Sequence, residues 1–289
     1  MLEVFLTFGA AYLLKRLGVF SKEHSTVLVN YVLYFTLPLL SFKTAHSLGL
    51  SKEVFYVGAS AWLVILFSLS LSYGVGKFMG LNSTDLRSFM MVCAFGNTAF
   101  LGYPYSFAYY SQEGLKYAII YDSVGSFLAV SSLGIFLVSG RIDLKSLFLF
   151  PPFLGLLAGF LLRTYEIPMA FQKFIDFSTA SLLPVILFSL GLSFELSQIR
   201  KEKRLLVLAI SIKMFLSPLF ALFFLKLLPL GDVAYKVSVL ESSMPTMITA
   251  SLLLLKYGLN HNLAFASAGF GILLSFITVP LWVYILRIF

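Results

Sequence analysis

The stretch AFGNTAFLGYPYSFAYY, from Ala94 to Tyr110, lies in a strongly apolar region of membrane-helix length, yet its middle carries Gly96, Asn97, Thr98, Gly102 and Pro104. Pro104 lacks a backbone N–H, and its ring clashes with the carbonyl four residues back, at Phe100. Gly96 and Gly102 loosen the same segment further. In hydrocarbon each unpaired backbone group costs several kcal/mol, so irregular backbone survives only inside protein or against a water-filled cavity. A helix broken at membrane depth therefore points to a buried site, and Asn97 and Thr98 would supply adjustable donors and acceptors beside it.

Composition supports the premise of a membrane. The chain has 289 residues, 59% hydrophobic and 12% charged, whereas a soluble domain carries roughly 25% charged residues. Apolar runs of about 20 residues recur along it, each long enough to cross a hydrocarbon core of about 30 Å. The net charge of +8 does not indicate nucleic acid, because the basic residues sit between apolar spans, where cytoplasmic loops collect Lys and Arg. A lone cysteine, Cys93, excludes an intrachain disulfide and a multi-cysteine metal site. His24, His46 and His261 are scattered without ligand spacing. No cofactor and no metal is expected, Na+ being left open. The first apolar run is not a signal peptide by pattern: no basic region precedes it, and Lys15 and Arg16 follow it. HExxH, GxSxG, a Walker loop and a paired-aspartate protease motif are all absent, so an enzyme is not expected.

The expected fold is an all-α polytopic membrane protein. Ten spans are predicted at about 2–17, 24–46, 53–76, 86–111, 114–139, 144–163, 168–194, 204–228, 232–256 and 261–286. Lys and Arg in the connections after odd-numbered spans outnumber those on the other side twelve to eight, which places both termini outside the cell membrane. The halves echo each other. FTLPLLSF around Pro38 resembles SLLPVILFSL around Pro184, and Pro104 has a counterpart in Pro245 of LESSMPTMITAS. Two five-span units, 1–140 and 141–289, form an inverted repeat, because an odd number of spans reverses the second unit. Matching interrupted segments in two halves are the best sequence pointer to a transporter's binding site. If spans 4 and 9 cross near the midplane, their half-helix N-termini offer free N–H groups to an anion. A lone proline would more simply be a kink repaired by neighbours, and Pro38, Pro184, Pro218 and Pro280 are read so.

Lys213, Glu241 and Asp122 lie deep in spans 8, 9 and 5, where an ionisable residue is a functional candidate by default. Lys213 and Glu241, at similar depth on consecutive spans, suggest an ion pair. The plainer alternatives are a pair that only fixes packing, or a lysine that snorkels. Glu3 and Lys226 near span ends are interfacial.

GNTAFLGYP (96–104), YD (121–122), IKMFLSP (212–218) and ESSMPTMITASLLLLKYGLNHNLAFASAGFGILLSFITVPLW (241–282) together resemble the auxin efflux carrier family, within the bile acid/auxin carrier superfamily. The resemblance covers essentially the whole chain. It implies a ten-span inverted repeat, scaffold and transport subdomains drawn from both repeats, and crossing broken helices around Pro104 and Pro245. By position it puts Asn97, Pro104 and Pro245 at the crossing, and makes Asp122 and Lys213 polar groups facing the lumen. It further implies carriage of organic anions and a homodimer. Glu241 departs from the family, where small or apolar residues are usual, and span 1 is shorter than usual there.

The expected function is a secondary transporter of a small organic anion, working by alternating access around a midplane site. Gly96, Asn97, Thr98, Gly102, Pro104, Lys213, Pro245 and Thr246 are the candidate substrate-binding positions. Asp122 and Glu241 are the ion-coupling candidates, since burial makes a carboxyl titratable at working pH. A cation-coupled carrier or cation/proton antiporter is the alternative on the same scaffold, and a receptor without transport is a second alternative.

Overall fold

The computed structural model describes residues 2–21, 23–48, 52–140, 151–194 and 203–289, and every regular element among them is helical. In chain order these are α1 (Leu2–Arg16), α2 (Glu23–Ser47), α3 (Lys52–Phe78), α4 (Ser83–Ala94), α5 (Thr98–Ser139), α6 (Pro151–Leu161), α7 (Met169–Ser193), α8 (Lys203–Leu227), α9 (Asp232–Ser242), α10 (Ile248–Lys256) and α11 (His261–Ile288). Six of them (α2, α3, α5, α7, α8 and α11) are long and apolar enough to cross a membrane. The protein is a multi-pass membrane protein. Residues 144–150 of the sixth expected span lie outside the described residues, as do Lys22, Arg141, Lys145, Arg200 and Lys201 of the charge count.

Two expected spans are interrupted. Span 86–111 divides into α4 and the start of α5, and span 232–256 into α9 and α10. The first break falls at residues 95–97, well ahead of Pro104. That corrects the expectation that Pro104 marks the break and sits at the crossing. Pro104 instead lies inside α5, directly after the π-helical turn Thr98–Gly102. The 42-residue α5 turns at Ser111, where φ is 55° and ψ −149°, so it is two arms in one run.

Three prolines follow π-helical turns: Pro38 after Val32–Thr36, Pro104 after Thr98–Gly102 and Pro218 after Ile212–Leu216. A proline ring displaces the carbonyl four residues back, and a wider turn makes room for it. The carbonyl thus freed by Pro218 belongs to Met214, and it accepts a hydrogen bond from Trp282 Nε1 at 2.9 Å. Trp282→Phe would strand that carbonyl in a buried apolar setting, at about 1–3 kcal/mol. We expect its apparent Tm, followed by thermal unfolding in detergent, to fall by several degrees, and an unchanged Tm would contradict the assignment.

The helices pack as two groups. In the first, α1 lies on α7, and α2 lies on α6 and α7. Gly155 and Gly159, one turn apart on α6, face the backbone of α2, and a Cβ on Gly159 would come within 2.9 Å of Ala45 Cβ. This small-xxx-small stripe is how helices approach closely in lipid. In the second group α3 packs on α4, α5, α8 and α9, while α11 packs on α4, α8, α9 and α10. Polar contacts knit each group internally: Tyr31 to Ser181 and Lys43 to Asp176 in the first, Ser68 to Ser217 and Tyr105 to Ser275 in the second. Between the groups, the described residues share an apolar core. Val4, Phe8, Val32, Leu37, Leu182 and Ile186 share one core with Leu101, Tyr103, Tyr105, Ile272 and Val279. The Phe5 and Phe8 rings lie 4.3 and 5.5 Å from Phe276.

Candidate functional site at the helix crossing

The two interrupted segments meet within the second group. Residues 95–97 run antiparallel to residues 245–247, with Gly96 opposite Thr246. Asn97 N–H donates to the Pro245 carbonyl at 2.7 Å, and Met247 N–H donates to the Phe95 carbonyl at 3.0 Å. Each break therefore satisfies backbone groups of the other, which is how unwound chain survives at membrane depth. Glycine at position 96 follows from the close approach. A Cβ there would lie 2.8 Å from Lys213 Cε and 3.2 Å from the Met244 carbonyl oxygen.

The side chains around the crossing finish the helix ends. Thr246 Oγ1 donates to the Val92 carbonyl in the last turn of α4 at 2.9 Å and shares a hydrogen bond with Ser267 Oγ at 2.8 Å. Asn97 Oδ1 caps α5 by accepting from Phe100 N–H at 3.2 Å. Its Nδ2 is buried and has no partner. The amide thus holds the helix start with one end and presents an unused donor with the other.

The deep charges gather here. Asp122 Oδ1 accepts from Thr98 Oγ1 at 2.5 Å and Oδ2 from Tyr103 OH at 2.8 Å. Glu241 Oε1 accepts from Ser106 Oγ at 2.9 Å, while Oε2 is buried without a hydrogen bond. The Glu241 carboxyl rests directly on Gly102, in the space a Cβ would occupy. Lys213 Nζ donates to the Ser242 carbonyl, at the end of α9, at 2.7 Å. Asp122 is 8% exposed, Lys213 3% and Glu241 0%, so the site is closed in this conformation.

The expected Lys213–Glu241 ion pair is not formed. The described salt bridges, Lys43–Asp176 and Lys236–Asp232, lie elsewhere. Glu241 turns toward Gly102 and Ser106 on α5, while Lys213 donates to the carbonyl at the end of α9. Nine of the ten candidate residues thus lie at or against the crossing, and Pro104 stands in the helix beyond it, buried beside Tyr103. Asp122, Lys213 and Thr98 with Gly102 each sit in a π-helical turn (Tyr121–Ser126, Ile212–Leu216 and Thr98–Gly102), a deformation that recurs at functional sites.

Sequence reasoning passed over Tyr103, Ser106 and Ser267. The signal for Tyr103 was available, since a tyrosine deep in an apolar span needs a partner for its hydroxyl. Ser106, four residues after Gly102, shares that residue's helix face.

A family model described as membrane transport protein matches residues 1–142 and 134–283. The chain belongs to this family. Membership agrees with the resemblance to the auxin efflux carriers and makes the protein a membrane transporter, not an enzyme. Two relatives are similar over nearly their whole length. An uncharacterized transporter of Methanothermobacter thermautotrophicus is 28% identical over 99% of this chain and 97% of its own. An uncharacterized transporter of Methanocaldococcus jannaschii is likewise 28% identical, with the same coverage.

Proposed function

We propose that this membrane transport protein is a secondary carrier of a small organic anion, bound at the crossing of the two broken segments and exposed to each side in turn. The observation that carries the reading is the unpartnered Asn97 Nδ2, buried where α5 begins and beside the paired backbone of the crossing. A helix start directs N–H groups and partial positive charge at whatever lies before it. The Lys213 ammonium lies against Gly96, and only one of its three donors is used, by Ser242. An anionic group seated between them would complete donors that otherwise stay empty.

Alternating access requires two bodies, and the packing offers them. We assign α1, α2, α6 and α7 as scaffold and α3–α5 with α8–α11 as transport body, each drawn from both halves of a ten-span 5+5 inverted repeat divided near residue 140. The apolar core shared by described residues of the two groups supports rocking, since apolar packing is non-directional. The carrier would sit in the cell membrane with both termini outside, as the charge bias suggests, and as a homodimer. A proton-coupled cycle is favoured at one point only, the bare Oε2 of buried Glu241.

The test is reconstitution in liposomes with radiolabelled indole acetate, malate, malonate and taurocholate, under imposed Na+ and pH gradients. Saturable uptake of at least one anion, reduced at least tenfold by Asn97→Ala, is expected. Exchange of H+ or Na+ without any anion flux, abolished by Glu241→Gln, would replace the anion reading with a cation antiporter.

A further inference from the structure

Among the charged groups at the crossing, Lys213 alone bonds to the backbone. Its Nζ donates to the carbonyl of Ser242, the last residue of α9. Its stem lies against Gly96 in the other broken segment, so one side chain touches both interrupted strands of the crossing. A helix C-terminus carries roughly half a negative charge. In carriers built on broken helices, such C-terminal ends and unwound carbonyls are where a coupling cation is held. Here a cation fixed to the chain stands in that place. Of the carboxylates that could complete a sodium site, Asp122 has both oxygens held, by Thr98 and Tyr103, and Glu241 is turned onto Gly102 with one oxygen held by Ser106 and the other without a hydrogen bond.

We infer that Lys213 is a built-in coupling cation: its ammonium stands permanently at the end of α9 where a free Na+ would otherwise bind, so the crossing is closed and the carrier cycles without sodium. This rests on the carrier reading above and specifies its ion requirement. The carbonyl end of α9 needs a positive charge whenever the crossing forms. A tethered charge supplies it at every ion concentration, whereas a free ion would make substrate movement depend on a sodium gradient.

Two substitutions separate the tethered charge from simple packing. Lys213→Ala removes the charge and opens the space it filled. Lys213→Met removes the charge but keeps the stem's bulk. Thermal unfolding of the purified full chain in detergent, in NaCl against choline chloride, reads cation binding without any substrate. The wild type should show no difference. Lys213→Ala should gain a Na+-specific rise in Tm of about 3 °C, the size expected for binding at roughly ten times Kd. Lys213→Met, with the space still filled, should gain none. In liposomes the wild-type flux should be equal with and without Na+, and Lys213→Ala should recover flux only when Na+ is present.

A wild type stabilised or driven by Na+ overturns the inference, whatever the variants do. So does a Lys213→Met protein that transports at the wild-type rate without sodium, since then no charge is needed. A Lys213→Ala protein with neither a Na+-dependent Tm nor Na+-restored flux also overturns it, leaving Lys213 as an attractor for the substrate alone. The Na+ response of Lys213→Ala in the thermal measurement, combined with absent anion flux in every protein, supports the cation site and faults only the carrier reading.

Discussion

Replacing Gly102 by alanine is expected to yield a protein that folds poorly and does not transport. The new Cβ would overlap all three atoms of the Glu241 carboxyl group. That carboxyl is fully buried and held by Ser106, so moving it costs its one hydrogen bond and leaves it without a destination. Overpacking a tight site costs about 1–3 kcal/mol, and losing the one hydrogen bond of a buried carboxyl costs about 1–3 kcal/mol more. Together these predict an apparent Tm lower by about 10 °C, measurable by thermal unfolding of the purified protein. Combining Gly102→Ala with Glu241→Ala removes the overlap and should restore most of the loss, a strong coupling between neighbours. A single Gly102→Ala variant as stable as the wild type would show that Glu241 has somewhere else to go.

Asp122→Ala is expected to be nearly as damaging, for a different reason. It leaves the hydroxyls of Thr98 and Tyr103, both buried, without their acceptor. Each stranded donor costs about 1–3 kcal/mol, or about 2–6 kcal/mol for the pair. Thr98 opens the turn that follows Asn97 and Tyr103 directly follows it, so transport should fall with stability. Asp122→Asn keeps one carbonyl oxygen and should lose about half as much. Thermal stability should therefore rank wild type, then Asn, then Ala. Equal losses in the two variants would mean that the charge of Asp122, and not its two hydrogen bonds, holds the turn.

Why the crossing was visible in the sequence follows from the solvent. Lipid offers no hydrogen bonds, so the length of an apolar run and the presence of Gly, Asn and Pro inside it are statements about local chemistry. That local chemistry was enough to predict an interruption in the fourth and ninth spans, and the second falls at Pro245 as expected. It was also enough to draw attention to Asn97, Asp122, Lys213 and Glu241, because deep polar groups in apolar runs need partners wherever they fold.

The partners themselves were decided only in three dimensions. Proline was read as the breaker, yet the chain unwinds at Gly96 and carries Pro104 onward in a helix entered through a π-helical turn. Such a turn inserts one residue, and at 3.6 residues per turn that swings every later side chain by about 100°. The turns that contain Asp122 and Lys213 therefore set which way those side chains point, and no regular helical period in the sequence records the swing. Lys213 accordingly reaches the Ser242 carbonyl instead of Glu241, and Glu241 finds Ser106. Sequence determined that the helices must break and that charges lie deep, because lipid penalises both locally. Tertiary structure alone decided that one break hydrogen-bonds to the other, because that depends on how whole helices are rotated and brought together.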